Sequence, residues 1–437
     1  MISIQFPNNN LPEREYIIKT LIFDFLGLPY TIKVSDSDSD LHYSILFEEC
    51  ELVIQDSFFS CYRDSLSYLN ADALPKKIVY AKNKFTIENN IPVIFGTDEL
   101  LITEKKIICG IDIFASAFFM LTRWEEYVNK TRDNHNRFPG SASIAHENNF
   151  LHRPVVNEYV EMLWKMMKKL GYKGERKRSN FELVLTHDVD VLSRPGSYRT
   201  ILGDVLKRRN LKLAHEHFKY KFVPNPYDTF DFLMTTSERL GLKSHFYFMS
   251  SNSKLPYDTS YYLKCRLFNS KIKEIKKRGH IIGFHPGYYT FDDLERWRAE
   301  KQLLEKAVLQ EIVEGRQHYL RIDVTKTFRI LDKNNMEIDS TLGYTDKEGF
   351  RCGTGDIFPV FDFLYRKQLN VKERPLIIMD GTLRQYQQYT QEQALPIIQY
   401  YISIGKRYNT TITILFHNSS FYGEWERYDS LYEKIFE

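Results

Sequence analysis

The chain has 437 residues, 43% of them hydrophobic and 27% charged, with a formal net charge of only +3. That length exceeds one typical domain and suits two, and the composition is that of an ordinary globular protein. The near balance of charge offers no general footing for nucleic acid. Five scattered cysteines (Cys50, Cys61, Cys109, Cys265 and Cys352) with no Cys-x-x-Cys pair argue against a disulfide framework or a zinc ribbon and suit reduced thiols.

The chain opens with no basic segment leading into an apolar one, and its longest apolar run, residues 113–121, is too short to cross a bilayer. The expectation is a cytoplasmic protein with no transmembrane segment. Residues 13–28 read as an amphipathic helix ended by Gly27 and Pro29. Residues 44–47 and 92–96 read as strands. Residues 112–128 read as a helix, with Phe114, Phe118, Leu121 and Trp124 at helical spacing. The polar loop 133–140 suits a structural turn better than a site. Residues 151–170 read as a helix joining two halves. Aromatic residues make up 15% of the chain; sugar-binding clefts use such rings, but cores use them more often.

From Phe181 onward, strands alternate with helical patterns. Strands are expected at 182–186, 245–249, 281–284, 319–322, 338–342, 376–379 and 411–416. Helices are expected at 261–277, 291–314 (closed by Gly315) and 391–408. Repeated β–α units imply parallel strands with right-handed crossovers. Seven strands fit a doubly wound α/β sheet or an incomplete barrel, and in both the chemistry collects where strands end.

Those ends are rich in ionisable groups. The first strand runs apolar through Leu183-Val184-Leu185 and stops in Thr186-His187-Asp188-Val189-Asp190. Positions i and i+2 of a strand share a face, so Asp188 and Asp190 project together. Two carboxylates that close need a proton or a cation between them. The third strand ends at His285, within Gly279-His280-Ile281-Ile282-Gly283-Phe284-His285. The fourth is entered by Arg316-Gln317-His318 and left at Arg321 and Asp323. The sixth ends at Asp380 and the seventh at His417. His280, at a helix-to-strand turn, reads as structural. Arg351, in Phe350-Arg351-Cys352-Gly353-Thr354-Gly355, suits either a substrate anion or the bracing of a glycine-rich loop.

Asp with His makes a shell for a borderline divalent cation such as zinc, with water completing it. A second carboxylate can then take a proton from water, and a histidine opposite can give one to a leaving group. This is equipment for metal-assisted amide or ester hydrolysis. The chain has no Gly-x-Ser-x-Gly, no Gly-x-x-x-x-Gly-Lys-Ser/Thr, no Gly-x-Gly-x-x-Gly after a strand and no His-Glu-x-x-His.

In the order of these motifs, residues from about 180 to about 420 resemble the polysaccharide deacetylase family, the carbohydrate esterase group that shares the NodB homology domain. The resemblance rests on Thr186-His187-Asp188-Val189-Asp190, Gly279-His280-Ile281-Ile282-Gly283-Phe284-His285 and Leu415-Phe416-His417, with Asp380 near a fourth motif. It implies a distorted seven-stranded (β/α) barrel of NodB type over residues 181–437. Before that lie a helical linker at 151–180 and a smaller α+β accessory domain at 1–150, as in a divergent subgroup from surface-polysaccharide gene sets. It also implies removal of acetyl groups from sugars with a bound divalent metal, zinc foremost and cobalt or manganese also suitable. Carried over by position, Asp188 is the general base, Asp190 and His285 are metal ligands, and His417 is the general acid. Asp380 orients His417, and Arg316 positions the base.

One departure matters. The family has His-x-x-x-His in the second motif, but the position four after His285 is Tyr289, and a phenol is a poor zinc ligand near neutral pH. His187 or His318 can supply the missing nitrogen. His187 has the wrong strand parity relative to Asp188, whereas His318 belongs to another strand and can reach across. The function this implies is a metal-dependent hydrolase removing acetyl from an N-acetylated sugar or glycan precursor. The alternatives are a catalytically silent carbohydrate-binding or scaffold protein, and a hydrolase of a non-sugar amide.

Overall fold

A computed structural model describes residues 2–35, 41–177, 180–193, 198–207, 209–211, 214–215, 218, 225–251, 255–258, 261–421 and 428–436. The chain is of mixed α/β class and divides into two compact units. Among the described residues, no helix is long and apolar enough to cross a membrane.

The first unit comprises residues 1–183, 319–378 and 400–413. Its six-stranded sheet has the order Tyr30–Ser35, Ile2–Pro7, His42–Phe47, Cys50–Gln55, Lys106–Ile111, Gly96–Ile102. The expected helix at 112–128 is two helices, Ile113–Thr122 and Trp124–Val128. Arg123 between them takes a left-handed conformation (φ 54°), and its buried guanidinium pairs with both Glu125 and Glu126. Phe58, Phe59, Tyr68, Phe118 and Trp124 are buried and pack ring against ring. In this unit the aromatic residues build a core.

Two motif readings resolve here. In the loop 133–140, Asp133 accepts the backbone N–H of both His135 and Arg137 and pairs with the Arg137 guanidinium, so the loop is a self-bonded turn. Arg351 is buried and gives Nε and Nη2 to Glu126 at 2.9 and 2.6 Å and Nη1 to the Gly343 carbonyl at 2.7 Å. It braces the core and is not presented to a ligand. The sequence reading missed the antiparallel pair Phe358–Asp362 and Lys367–Glu373, whose joining turn carries no Gly or Pro signal.

The second unit comprises residues 184–318, 379–399 and 414–437. The Glu182–Val189 strand pairs in parallel with Ser244–Phe248, which pairs in parallel with Ile281–Phe284, and Phe284 pairs with Gly315 of the short strand Glu314–Gly315. On the other side of Glu182–Val189 come Thr411–Leu415 and then Leu376–Met379. Helices Arg266–Lys277, Leu294–Val308 and Gln391–Tyr408 lie within three of the expected helical stretches.

The expected strand at 319–322 is absent, and the strand at this point is the preceding Glu314–Gly315. His318–Leu320 is a tight turn, with Tyr319 (φ 62°) and Leu320 (φ 52°) in the left-handed region. Gly315, read as a helix stop, lies in that strand; the helix instead ends at Leu309 (φ 53°). His280 accepts the Ser244 N–H on Nδ1 at 2.9 Å and faces Glu238 with Nε2, a structural role.

Candidate metal centre

The parallel strands of the second unit end in register, Val189 opposite Phe248, Phe248 opposite Phe284 and Phe284 opposite Gly315, and the ionisable side chains collect at that shared end. Asp188 lies near the end of its strand, with Asp190 just past it. His285 directly follows Phe284, Arg316 directly follows Gly315, Asp380 directly follows Met379, and His417 comes two residues after Leu415.

Three of these groups converge. His285 Nε2 lies 3.1 Å from Asp190 Oδ1, and His318 Nε2 lies 3.7 Å from the same oxygen. One ligand atom from each of Asp190, His285 and His318 lies within 4.8 Å of the others. A tetrahedral ion with bonds of 2.0–2.2 Å spaces its ligand atoms about 3.4 Å apart, and the separations of 3.1 and 3.7 Å bracket that figure. Two imidazoles and a carboxylate also form a suitable donor set for zinc and its neighbours. The His285 ring is oriented by its Nδ1, 2.6 Å from the Arg316 carbonyl, which puts the proton on Nδ1 and leaves Nε2 as the donor.

The other predicted residues surround this group. Arg316, wholly buried, donates Nη1 to Asp188 Oδ1 at 2.8 Å and to Thr186 Oγ1 at 2.9 Å. The second Asp188 oxygen lies 3.8 Å from His285 Nε2. Asp380, buried, takes His417 Nδ1 at 2.8 Å on one oxygen and the His417 backbone N–H at 2.7 Å on the other. That leaves His417 Nε2 3.7 Å from Asp190 Oδ2. Asp190 and His417, with side chains 25% and 20% exposed, are the members of this set open to solvent.

Neighbouring charges set the direction of each titration in this group. Burial alone would raise the Asp190 carboxyl, but the His318 charge and hydrogen bonds from His285 and His318 hold it well below the usual carboxylate range. Burial pulls His318 down, yet Asp190 and Asp258 lift it to about 9. Burial likewise opposes protonation of His417, and Asp380, then Asp190 and Asp188, lift it to about 10.

The parity argument against His187 agrees with its position. Its ring turns away, with Nδ1 2.8 Å from the Phe416 carbonyl and the ring centroid 4.9 Å from that of Phe246. Burial pushes its pKa down to about 3, so it stays neutral. Tyr289 does not join the group either. Its ring packs on Tyr288 at 4.9 Å, with the Arg296 guanidinium 5.7 Å from its centroid. The sequence reading did not single out Asp258. Its Oδ1 lies 3.5 Å from His318 Nδ1, and no strand end or spacing marked it.

Residues 2–172 match a family described as "Family of unknown function (DUF7033)". No curated protein matches the chain. Solved structures similar to it include one assigned as a polysaccharide deacetylase from Mycobacterium smegmatis, at 14% identity and a TM-score of 0.41, covering 60% of this chain and 84% of that one. Another is a mutant of a CE4 family pseudoenzyme with restored enzymatic activity, at 10% identity and a TM-score of 0.30, covering 59% of this chain and 62% of that one. A third is the Streptococcus pyogenes deacetylase PplD in complex with acetate, at 12% identity and a TM-score of 0.24, covering 47% of this chain and 95% of that one.

Proposed function

We propose that this chain is a metal-dependent hydrolase that removes an acetyl group from an N-acetylated sugar or a surface-polysaccharide precursor. In this reading residues 181–437 are the distorted barrel of the polysaccharide deacetylases and residues 1–150 an accessory domain. The observation that carries the reading is the convergence, at one strand edge, of an Arg-paired carboxylate (Asp188), a two-nitrogen, one-oxygen donor set (Asp190, His285, His318) and an Asp-paired imidazole (His417).

Asp190, His285 and His318 would hold a zinc, cobalt or manganese ion, which when bound would supply Lewis acidity toward a carbonyl oxygen and lower the pKa of water. Asp188 is the general base. The Arg316 guanidinium holds one oxygen of that carboxylate and leaves the other available. His417 is the general acid: Asp380 holds Nδ1 and stabilises the imidazolium, so Nε2 carries the proton to the departing amine nitrogen. The amide C–N bond breaks, acetate leaves with the water oxygen, and the sugar amine leaves with the His417 proton.

The test is to purify the full chain without chelators, determine its metal content, and follow acetate release from N-acetylated oligosaccharides and from nucleotide-linked N-acetyl sugars. The expected result is near-stoichiometric metal and acetate release that Asp188→Asn lowers by about 10²–10⁴-fold in a folded protein. Sub-stoichiometric metal with no rescue by added zinc, cobalt or manganese would favour the silent carbohydrate-binding alternative. Metal-dependent cleavage of non-sugar amides alone would transfer the activity to that class.

A further inference from the structure

Resting on the metal-site reading above, we propose that Asp258 is the positioning residue for His318, holding its imidazole through a carboxylate–imidazole contact so that Nε2 faces the cation. The two histidines of the site are oriented by different chemistry. His285 gives Nδ1–H to a backbone carbonyl, Arg316 O, at 2.6 Å. His318 Nδ1 instead faces the carboxylate of Asp258, Oδ1 at 3.5 Å, with the Asp258 side chain almost wholly withdrawn from solvent. A carboxylate behind a ligating imidazole fixes the proton on the far nitrogen and makes the near one a stronger donor.

The carboxylate is itself held in place. Its Oδ1 accepts the Tyr288 N–H at 2.6 Å, and its Oδ2 lies 3.4 Å from Ser251 Oγ. Gly287 leaves the space for it. A Cβ at Gly287 would stand 3.0 Å from Asp258 Oδ2, 3.1 Å from Oδ1 and 3.2 Å from Glu300 Oε1. Glu300 in turn accepts the Gly287 N–H at 2.8 Å. The turn through Gly287 and Tyr288 is therefore gripped by two buried carboxylates. It follows His285 after Pro286 and holds the carboxylate behind His318. This gives a physical account of how the site tolerates Tyr289: the second nitrogen comes from His318, on a separate turn, and Asp258 fixes its direction.

The experiment measures zinc and cobalt affinity of the full chain by competition with a chromophoric chelator. It is paired with the visible spectrum of the cobalt form and the imidazole nitrogen shifts of His318 in the zinc form. Asp258→Asn is expected to weaken binding by roughly 10–100-fold, to change the cobalt spectrum and to mix the His318 tautomers. Gly287→Ala leaves every polar group in place but crowds the carboxylate; it should shift all three readouts in the same direction. Wild-type affinity, spectrum and tautomer in Asp258→Asn would overturn the proposal. If that variant fails to fold, the same three wild-type values in Gly287→Ala overturn it. A wild-type chain that takes up no ion in these titrations removes the metal-site reading as well, whereas normal uptake by wild type and both variants removes Asp258 alone.

Discussion

Arg316 and Asp188 form an ion pair at 2.8 Å with both side chains withdrawn from solvent, and the same Arg316 nitrogen holds Thr186 Oγ1. The two residues are 128 positions apart, yet each stands at a strand end, so parallel pairing in the sheet brings them together. A buried ion pair is expensive to form and more expensive to break.

Arg316→Ala therefore leaves Asp188 buried without its counter-charge. The expected loss of stability is about 3–5 kcal/mol, seen as a lowered urea midpoint at unchanged m-value. Asp188→Asn keeps the shape and removes the charge. In the proposed chemistry it should lower turnover by about 10²–10⁴-fold, the usual worth of a positioned general base, with the circular dichroism spectrum unchanged.

Asp380→Asn should move the alkaline limb of the kcat/KM profile to lower pH. Burial opposes the charge on His417, and Asp380 is the foremost of the groups that raise its pKa to about 10. A cation beside Asp190 cancels part of that lift, leaving Asp380 as the main support. His417 must be protonated to act as an acid, so losing Asp380 lowers its pKa and activity fails sooner as pH rises. A shift of about one unit or more is the size expected of one close opposite charge. An unmoved limb would sever His417 from Asp380 functionally.

Metal uptake should release protons. Against the effect of burial, Asp190 and Asp258 raise His318 to about 9, so near neutral pH it must give up a proton before it can bind an ion. Affinity should rise by about tenfold per pH unit below that pKa and level off above it. Calorimetry in buffers of differing ionisation enthalpy reads the proton count directly. A flat pH dependence would exclude His318 as a ligand.

His318→Ala should cost more metal affinity than the roughly 10–100-fold typical of losing a supporting partner. Tyr289→Phe should leave affinity unchanged, because the Tyr289 ring packs on Tyr288 and near Arg296. Chelator competition distinguishes the two variants on one protein preparation.

Arg351→Leu should destabilise the chain by about 3 kcal/mol, the low end for breaking a buried pair, since Glu126 loses one of its two guanidinium partners and keeps only Arg123. Zinc affinity of the folded fraction should stay at the wild-type value. Lost substrate affinity at unchanged stability would instead return Arg351 to a ligand-binding role.

Most of the ionisable cluster was legible in the sequence because its signals are local. An apolar run ending in Asp188 and Asp190 is a strand with two carboxylates on one face, and parity alone set His187 apart. Repeated β–α alternation implied parallel strands, and from that follows a shared edge for His285, Asp380 and His417. The turn at His318 was misread because Tyr319, Leu320 and Ile322 look like a strand. The chain takes φ values of 62° and 52° there, which residue type does not announce.

By itself the sequence determined which side chains stand at strand ends, since periodicity and punctuation are encoded within a few residues. Only the tertiary structure decided which nitrogen joins Asp190 and His285, and which carboxylate stands behind it. His318 and Asp258 are 60 positions apart and reach each other by packing between loops. Contacts of that kind follow from long-range burial and charge balance, which no short stretch of chain carries.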